Sequence, residues 1–377
     1  MFSLFSVDDH IIESAGVWVD RVPQKLKDRV PHVVEADGRQ IWVWEGGQET
    51  TMGLNAVAGR PYETWGAEPV RFDEMRKGCY DPHERAKDLI SNGILASVSF
   101  PTLPGFAGRK FETFADKELA VTCVRAWNDY MIDEWCAAKP DVFVPMHIAP
   151  VWDVALAVAE TERMIDRGSK ALCWMEDPSN LGLPGYHTEY WYPLFELCEA
   201  AGLPICMHIG GASAQVSLAG TIPMVEIAAA FAGAARSSVS MMVSPVPRKF
   251  PGIKLVWSEG GIGWITAALE RADRQWLRHQ GWTHIPDAHI MPSEVARRNM
   301  WFCMIEEPVG LKYRHDFAMD RILWESDYPH ADTPFPNTQQ ACTDLFAGVP
   351  QDEIDAITYR NAEELFGFTI NKSLLPG

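Results

Sequence analysis

The sequence predicts an α/β protein, a (β/α)8 TIM barrel with a hairpin insertion after its first strand. Three observations lead there. Eight short β-rich apolar runs recur along the 377 residues, helix-period stretches lie between them, and several of those stretches stop at a glycine just before the next run. Strands that alternate with helices pair in parallel, and eight is the number that closes a barrel. A doubly wound open sheet is the alternative, but no Gly-rich dinucleotide loop follows the first strand.

In chain order the strands are read at LFSVDD, ILASVSF, VFVPMHIAP, KALCWM, PICMHI, KLVWSE, MWFCMI and RILWES. Helical periods run through DPHERAKDLISNG, DKELAVTCVRAWNDYMIDEWCAAK, DVALAVAETERMIDRG, YWYPLFELCEAAG and IGWITAALERADRQWLRHQ. Residues 31–79 are too long for a simple βα connection, and within them RQIWVWEGGQETT reads as a hairpin turning at Gly46-Gly47. In a barrel this insertion leaves the catalytic face. It forms either a lid that carries Trp42 and Trp44 over the pocket or a plug that merely fills the barrel. A second long connection, residues 210–251, is rich in Gly, Ala, Ser and Met and is expected to border the pocket. No internal repeat or low-complexity linker divides the chain, so residues 1–377 are read as a single domain.

A hydrophobic share of 47% with 22% charged residues suits a globular protein with a sizeable core, and the fifteen Trp suit apolar cavities as well as cores. A formal charge of −18 argues against nucleic acid or an anionic membrane as the main partner, because phosphates would be repelled. That leaves a small-molecule substrate. The eight Cys form no C-x-x-C pair and most lie in apolar runs, which reads as buried free thiols in a reducing cytosol. No basic segment followed by an apolar stretch and a cleavage site opens the chain. The most apolar long segment, IPMVEIAAAFAGAA, is too short to span a bilayer and contains Glu226. The expectation is a soluble cytoplasmic protein.

Active sites of such barrels are built at the C-terminal ends of the strands. Those ends carry Asp8 and His10, then His208, Glu259 and Asp327. In a strand, residues i and i+2 point the same way, so Asp8 and His10 can both reach the barrel axis. Each residue alone has an ordinary reading: Asp8 caps a turn, His208 is a satisfied core histidine, Asp327 starts a turn before Pro329. Their convergence on one mouth is not explained that way. Imidazole and carboxylate together are ligands for Zn²⁺, Mn²⁺ or Fe²⁺. His147, inside the third run, reads as a packed core histidine, and Arg109 and Lys110 as a solvated pair. The GGIGW stretch after Glu259 opens a helix whose amides could receive an anion, although close packing explains its glycines as well.

The stretches SVDDHIIE, LPICMHIGG, FPGIKLVWSEGGIGW and ILWESDYPHADTPFP resemble motifs of the aminocarboxymuconate-semialdehyde-decarboxylase-like branch of the amidohydrolase superfamily. The resemblance runs along most of the chain. It implies a distorted barrel, a homodimer, and a metal held by Asp8, His10, His208 and Asp327. It also implies removal of carboxylate groups from aromatic or muconate-like acids, or hydrolysis or hydration of related compounds. One departure stands out: where those decarboxylases place a proton-transfer His at the end of strand six, this sequence has Glu259.

With Glu13, and with His187 in GYHTEYW, the candidate ligands become Asp8, His10, Glu13, His187, His208, Glu259 and Asp327. That is more than one ion needs, and it is oxygen-rich, which suits two Fe ions or an Fe/Mn pair better than Zn. Some members of the superfamily use such dinuclear sites to activate O₂. The preferred expectation is therefore a dinuclear non-heme Fe or Fe/Mn monooxygenase that hydroxylates a small organic molecule. Glu259, Asp327 and His208 would be its catalytic residues, with Trp42, Trp44, His330 and Trp301 against the substrate. The alternative is a mononuclear Zn or Mn decarboxylase or hydrolase in which Glu259 serves as acid and base. Glu13 also has a second reading, as a residue that holds a strand end or orients His10.

Overall fold

The eight apolar runs form eight parallel strands in the computed structural model, which describes residues 1–211, 220–283 and 289–375. They are β1 (Leu4–Ile11), β2 (Ile94–Pro101), β3 in two pieces (Phe143–Val144 and Met146–His147), β4 (Ala171–Trp174), β5 (Ile205–His208), β6 (Leu255–Ser258), β7 (Met300–Met304) and β8 (Ile322–Trp324). Every residue of these strands is buried, as strands covered by helices on one face and packed against each other on the other must be. Sequential strands are neighbours throughout: β1, β2 and the first piece of β3 form one sheet, and the second piece of β3 continues through to β8 in another.

The distortion lies at two seams. Pro145 separates the two pieces of β3, where a residue without an N–H cannot extend a ladder. Between β8 and β1 no ladder forms among the described residues. The junction is made instead by Asp327 N–H donating to the Asp8 carbonyl at 2.8 Å, His10 N–H to the Tyr328 carbonyl at 2.7 Å, and Ser326 N–H to Ser6 Oγ at 2.9 Å. This places the end of β8 directly beside the D-x-H of β1.

The helices begin where their sequences provide a cap. Asp81, Asp116 and Asp153 each accept backbone N–H bonds at the starts of helices Pro82–Ser91, Lys117–Tyr130 and Val154–Asp166. The long helical stretch read from Asp116 to Lys139 is helical over most of its length, but its last part, Met131–Cys136, widens into a π turn. All eight cysteines are free and buried. No helix among the described residues is long and apolar enough to cross a membrane.

The insertion differs from its reading in two ways. It carries three antiparallel strands, His32–Ala36, Arg39–Trp44 and Gly47–Glu49, rather than one hairpin. The second turn is Glu45-Gly46, because Trp44 pairs with Gly47 and Gly46 takes the left-handed φ of 92° that a glycine permits. The strand His32–Ala36 was masked in the sequence by its mixed polarity. Residues 223–249 form the helices Pro223–Ala229, Phe231–Val243 and Val246–Lys249. The first of these borders the cavity, as expected of that stretch; residues 212–219 of the same connection lie outside the described residues.

Candidate metal centre

Four side chains meet at the C-terminal mouth, each aimed by its strand. Asp8 and His10 lie two apart on β1 and are fully buried on the same side. His208 ends β5. Its Nδ1 faces the Ile209 carbonyl at 2.7 Å, so Nδ1 carries a proton and Nε2 is the nitrogen turned to the site. Asp327 follows β8 at a φ of 50°, a left-handed conformation held by its N–H bond to the Asp8 carbonyl. Ser258 pairs with His208 in the β5–β6 register, which sets Glu259 one step above the histidine. Glu259 is also left-handed, at φ 56°, with its N–H shared by both oxygens of Glu325 at 3.1 Å. Two non-glycine residues in this region cost about 1–2 kcal/mol each, and both are carboxylates turned toward the same point.

The resulting distances are those of a ligand set. His10 Nε2 lies 3.3 Å from Asp8 Oδ1, 3.2 Å from Asp327 Oδ1 and 3.1 Å from His208 Nε2. His208 Nε2 lies 3.3 Å from Asp8 Oδ2 and 2.9 Å from Glu259 Oε2. His330 joins from the loop after β8, its Nδ1 3.4 Å from Asp327 Oδ1 and its ring stacked 3.7 Å from that of His10. Two overlapping groups can therefore hold an ion: Asp8, His10 and His208, and His10, Asp327 and His330.

The electrostatics ask for a cation. Asp8 Oδ1 and Oδ2 and Asp327 Oδ1 are buried without a hydrogen-bond donor, and two imidazole nitrogens face one another among them. Burial pushes the Asp8 carboxyl up to about 7, against the pull of His208. Burial and then the Glu259 and Asp8 charges hold Asp327 well above the usual carboxylate range. Burial opposes charge on His208, yet Asp8 and Glu259 lift it to about 9. Burial keeps His10 well below its ordinary value, leaving it neutral. A divalent ion would satisfy the orphaned oxygens and both Nε2 lone pairs together, so the donor set fits a metal.

Other residues expected here are elsewhere. Glu13 joins neither group: its oxygens accept from Thr102 N–H at 3.1 Å, Leu103 N–H at 2.8 Å and Trp127 Nε1 at 3.0 Å. It ties the end of β1 to the β2 loop, the second of its two readings. His187 is exposed and bonded to Ser240 Oγ at 3.2 Å, because the neighbouring Tyr186 is buried and its hydroxyl donates to the Met175 carbonyl. Trp42 is buried edge-on against Trp18 at 5.6 Å, and Trp44 lies under the Lys110 ammonium, so neither reaches the cavity. The insertion does reach it, but with Met52, Leu54, Asn55 and Ala67. Trp301 is buried beneath the Arg321 guanidinium, 4.4 Å from its ring centroid, and also misses the cavity. His147 bonds Ser169 Oγ at 2.7 Å within the core.

Several residues carry the site without having been read as part of it. Asp9, next to Asp8 of the candidate cluster, accepts from the hydroxyls of Ser6, Ser97 and Ser326 and from Tyr328 N–H at 3.1 Å, joining β1 to the β8 loop. Arg85 is fully buried and donates to the His10 carbonyl at 2.6 Å, its guanidinium 4.2 Å from the centroid of the Tyr328 ring. Glu325 lies two residues before Asp327, a spacing that could have flagged it; Arg85 sits in mid-helix, where nothing marks it. Phe106 stacks on His208 at 3.9 Å.

Above the cluster opens a cavity of about 890 Å³, lined by His208, Glu259, His330 and Asp332 at its base and by Phe106 and Ile227 among its apolar walls. The sequence profile of the amidohydrolase family matches residues 57–368. No curated protein matches the chain. Among solved structures, an amidohydrolase from Mycobacterium avium subsp. paratuberculosis K-10 superposes with a TM-score of 0.77 at 19% identity, covering 97% of this chain and 99% of that one. The 5-carboxyvanillate decarboxylase of Sphingomonas paucimobilis gives 0.70 at 22% identity, covering 98% and 100%. The dihydroxybenzoic acid decarboxylase of Polaromonas sp. JS666, solved with manganese and the inhibitor 2-nitroresorcinol, gives 0.65 at 16% identity over 100% of both chains.

Proposed function

The chain belongs to the amidohydrolase family, and from that premise we propose that it is a metal-dependent decarboxylase of an aromatic carboxylic acid, working with one Mn²⁺ or Zn²⁺ ion. The observation that carries the metal is the buried meeting of Asp8, His10, His208 and Asp327 with three carboxylate oxygens left without donors. The reaction class is supported by the fold shared with two decarboxylases of hydroxylated aromatic acids, one of them named with manganese. The dinuclear Fe or Fe/Mn oxygenase is not carried forward. It depended on a surplus of ligands, and Glu13 and His187 lie apart from the cluster; its O₂ chemistry has no support among the neighbours.

Asp8, His10, His208 and Asp327 would hold the ion, with His330 close enough to share the work. When bound, the ion would supply Lewis-acid chemistry toward an anionic substrate. The protein's own residues do the rest. Phe106 and His330 flank the base of the cavity and confine a flat ring there. Glu259, in the cavity wall with its side chain 18% exposed, takes a proton from water at the open mouth and passes it to the ring carbon that bears the carboxylate. The bond from that carbon to the carboxylate then breaks, its electron pair returns to the ring, and CO₂ leaves. Glu259 recovers its proton from water through the open mouth.

The test is to supply Mn-loaded protein with hydroxylated benzoic acids in D₂O. Release of CO₂ with one deuterium on the ring supports the reading. Two Fe ions per chain with O₂ consumption and no CO₂ would overturn it.

A further inference from the structure

The cavity above the metal centre has a one-sided charge. Glu226, Glu259, Glu307 and Asp332 line it, and no lysine or arginine does so among the described residues. With two ligand carboxylates balanced by a divalent ion, these side chains give the space around the substrate carboxyl acceptors and no positive charge. Arg109, which follows the cavity residue Phe106, is exposed and donates to the Gly211 carbonyl at 3.3 Å, outside the cavity lining.

An anion-receiving turn does exist beside the cavity, but the protein occupies it. The amides after Gly261 open toward Glu307, whose Oε2 accepts from Ile262 N–H at 2.6 Å and Gly263 N–H at 3.1 Å. Gly261 is left-handed at φ 68°, and a β-carbon there would lie 2.2 Å from Glu307 Oε1. The glycine is what admits the carboxylate, so the turn that could have received an anionic substituent is filled by the chain itself. A second feature points to a ligand of the opposite kind. Glu226 Oε1, on the cavity wall, is buried with no hydrogen-bond partner, an acceptor awaiting a donor.

We infer that the substrate is an aromatic acid with a single carboxylate, whose ring carries hydrogen-bond donors, best of all a cationic amine, at the end away from the metal. A second carboxylate or a phosphate is excluded. The inference rests on the decarboxylase reading for the placement of the first carboxylate on the ion. It separates this chain from its 5-carboxyvanillate-decarboxylating neighbour, whose named substrate carries a carboxylate on a vanillate ring. Replacing an anionic by a cationic group at contact with a wall carboxylate changes affinity by about 10-fold or more.

The experiment compares three ligands on Mn-loaded protein by calorimetry and by CO₂ release: 2-hydroxybenzoate, its 5-aminomethyl derivative and its 5-carboxy derivative. The aminomethyl compound should bind about 10-fold tighter than the carboxy compound, with the gap narrowing as salt is raised. Glu226→Gln should shrink that ratio by about 3-fold. Equal or tighter binding of the carboxy compound overturns the inference, even if it is decarboxylated and the reaction reading survives. The expected binding order with no CO₂ from any compound overturns the reaction reading and leaves the charge selection standing. Failure of all three to bind overturns the inference.

Discussion

Removing the charge of Asp8 should make the metal-free protein more stable and the metal-loaded protein less so. Asp8 is fully buried, and both its oxygens lack donors. Its carboxyl is pushed by burial from 3.8 to about 7. A carboxyl with a raised folded-state value binds its proton more tightly folded than unfolded. Without metal, stability is therefore lost as pH rises from the unfolded value through about 7, and the full cost stands above that. The span from 3.8 to about 7, at about 1.4 kcal/mol per pH unit, bounds that cost at about 4 kcal/mol. Asp8→Asn keeps the shape and removes the ionisation, so at pH 8 the chelator-treated variant should be more stable than wild type by about 2–4 kcal/mol, and at pH 4 nearly equal to it. Metal reverses the order. Wild type gains about 4 kcal/mol at a metal concentration 1,000 times Kd, whereas the variant, short of a charged ligand, gains far less. Thermal unfolding at pH 4 and pH 8, with chelator and with Mn²⁺, reads all four states. A variant less stable than wild type at pH 8 without metal, or equally stabilised by Mn²⁺, refutes the reasoning.

Three further outcomes follow from the same geometry. Glu13→Ala leaves Trp127 Nε1 and two backbone N–H groups without their acceptor, so it should lower stability by about 2–4 kcal/mol while metal content per chain, read by mass spectrometry, stays at wild type; loss of the metal with stability intact would make Glu13 a ligand after all. Glu259→Gln should retain the ion and lose about 100-fold or more in kcat, since the proton route goes while the four principal ligands remain; unchanged turnover would move the acid elsewhere. Arg85→Met removes the buried guanidinium that holds the His10 and Gly78 carbonyls at 2.6 Å, and chemical denaturation should show a loss of about 3–5 kcal/mol.

Much of the architecture was legible because it is local. The strands are short, largely apolar runs, and the helices open at Asp81, Asp116 and Asp153, which signal their own starts. The candidate ligands at the strand ends were legible too, since the two-residue period of β1 carries Asp8 and His10 to one side whatever surrounds them. Glu13 stands out of that period: only being a carboxylate nearby made it a candidate ligand, and the chain sets it against Leu103 and Trp127. His187 and the tryptophans failed for a different reason. Residue type says what a side chain could do in a cavity, and only packing says whether it faces one.

The sequence by itself determined the order of elements, the strand–helix alternation of the barrel and the strand-end residues Asp8, His10, His208 and Asp327 that meet at its mouth, because hydrophobic period and strand-end position are written along the chain. Tertiary structure alone decided the rest. It brought Arg85 under His10 and Asp9 between three serines, turned Glu259 and Asp327 into left-handed conformations, and filled the GGIGW turn with Glu307. These depend on groups far apart in sequence meeting in a buried, low-dielectric space, where desolvation and charge set what each can do.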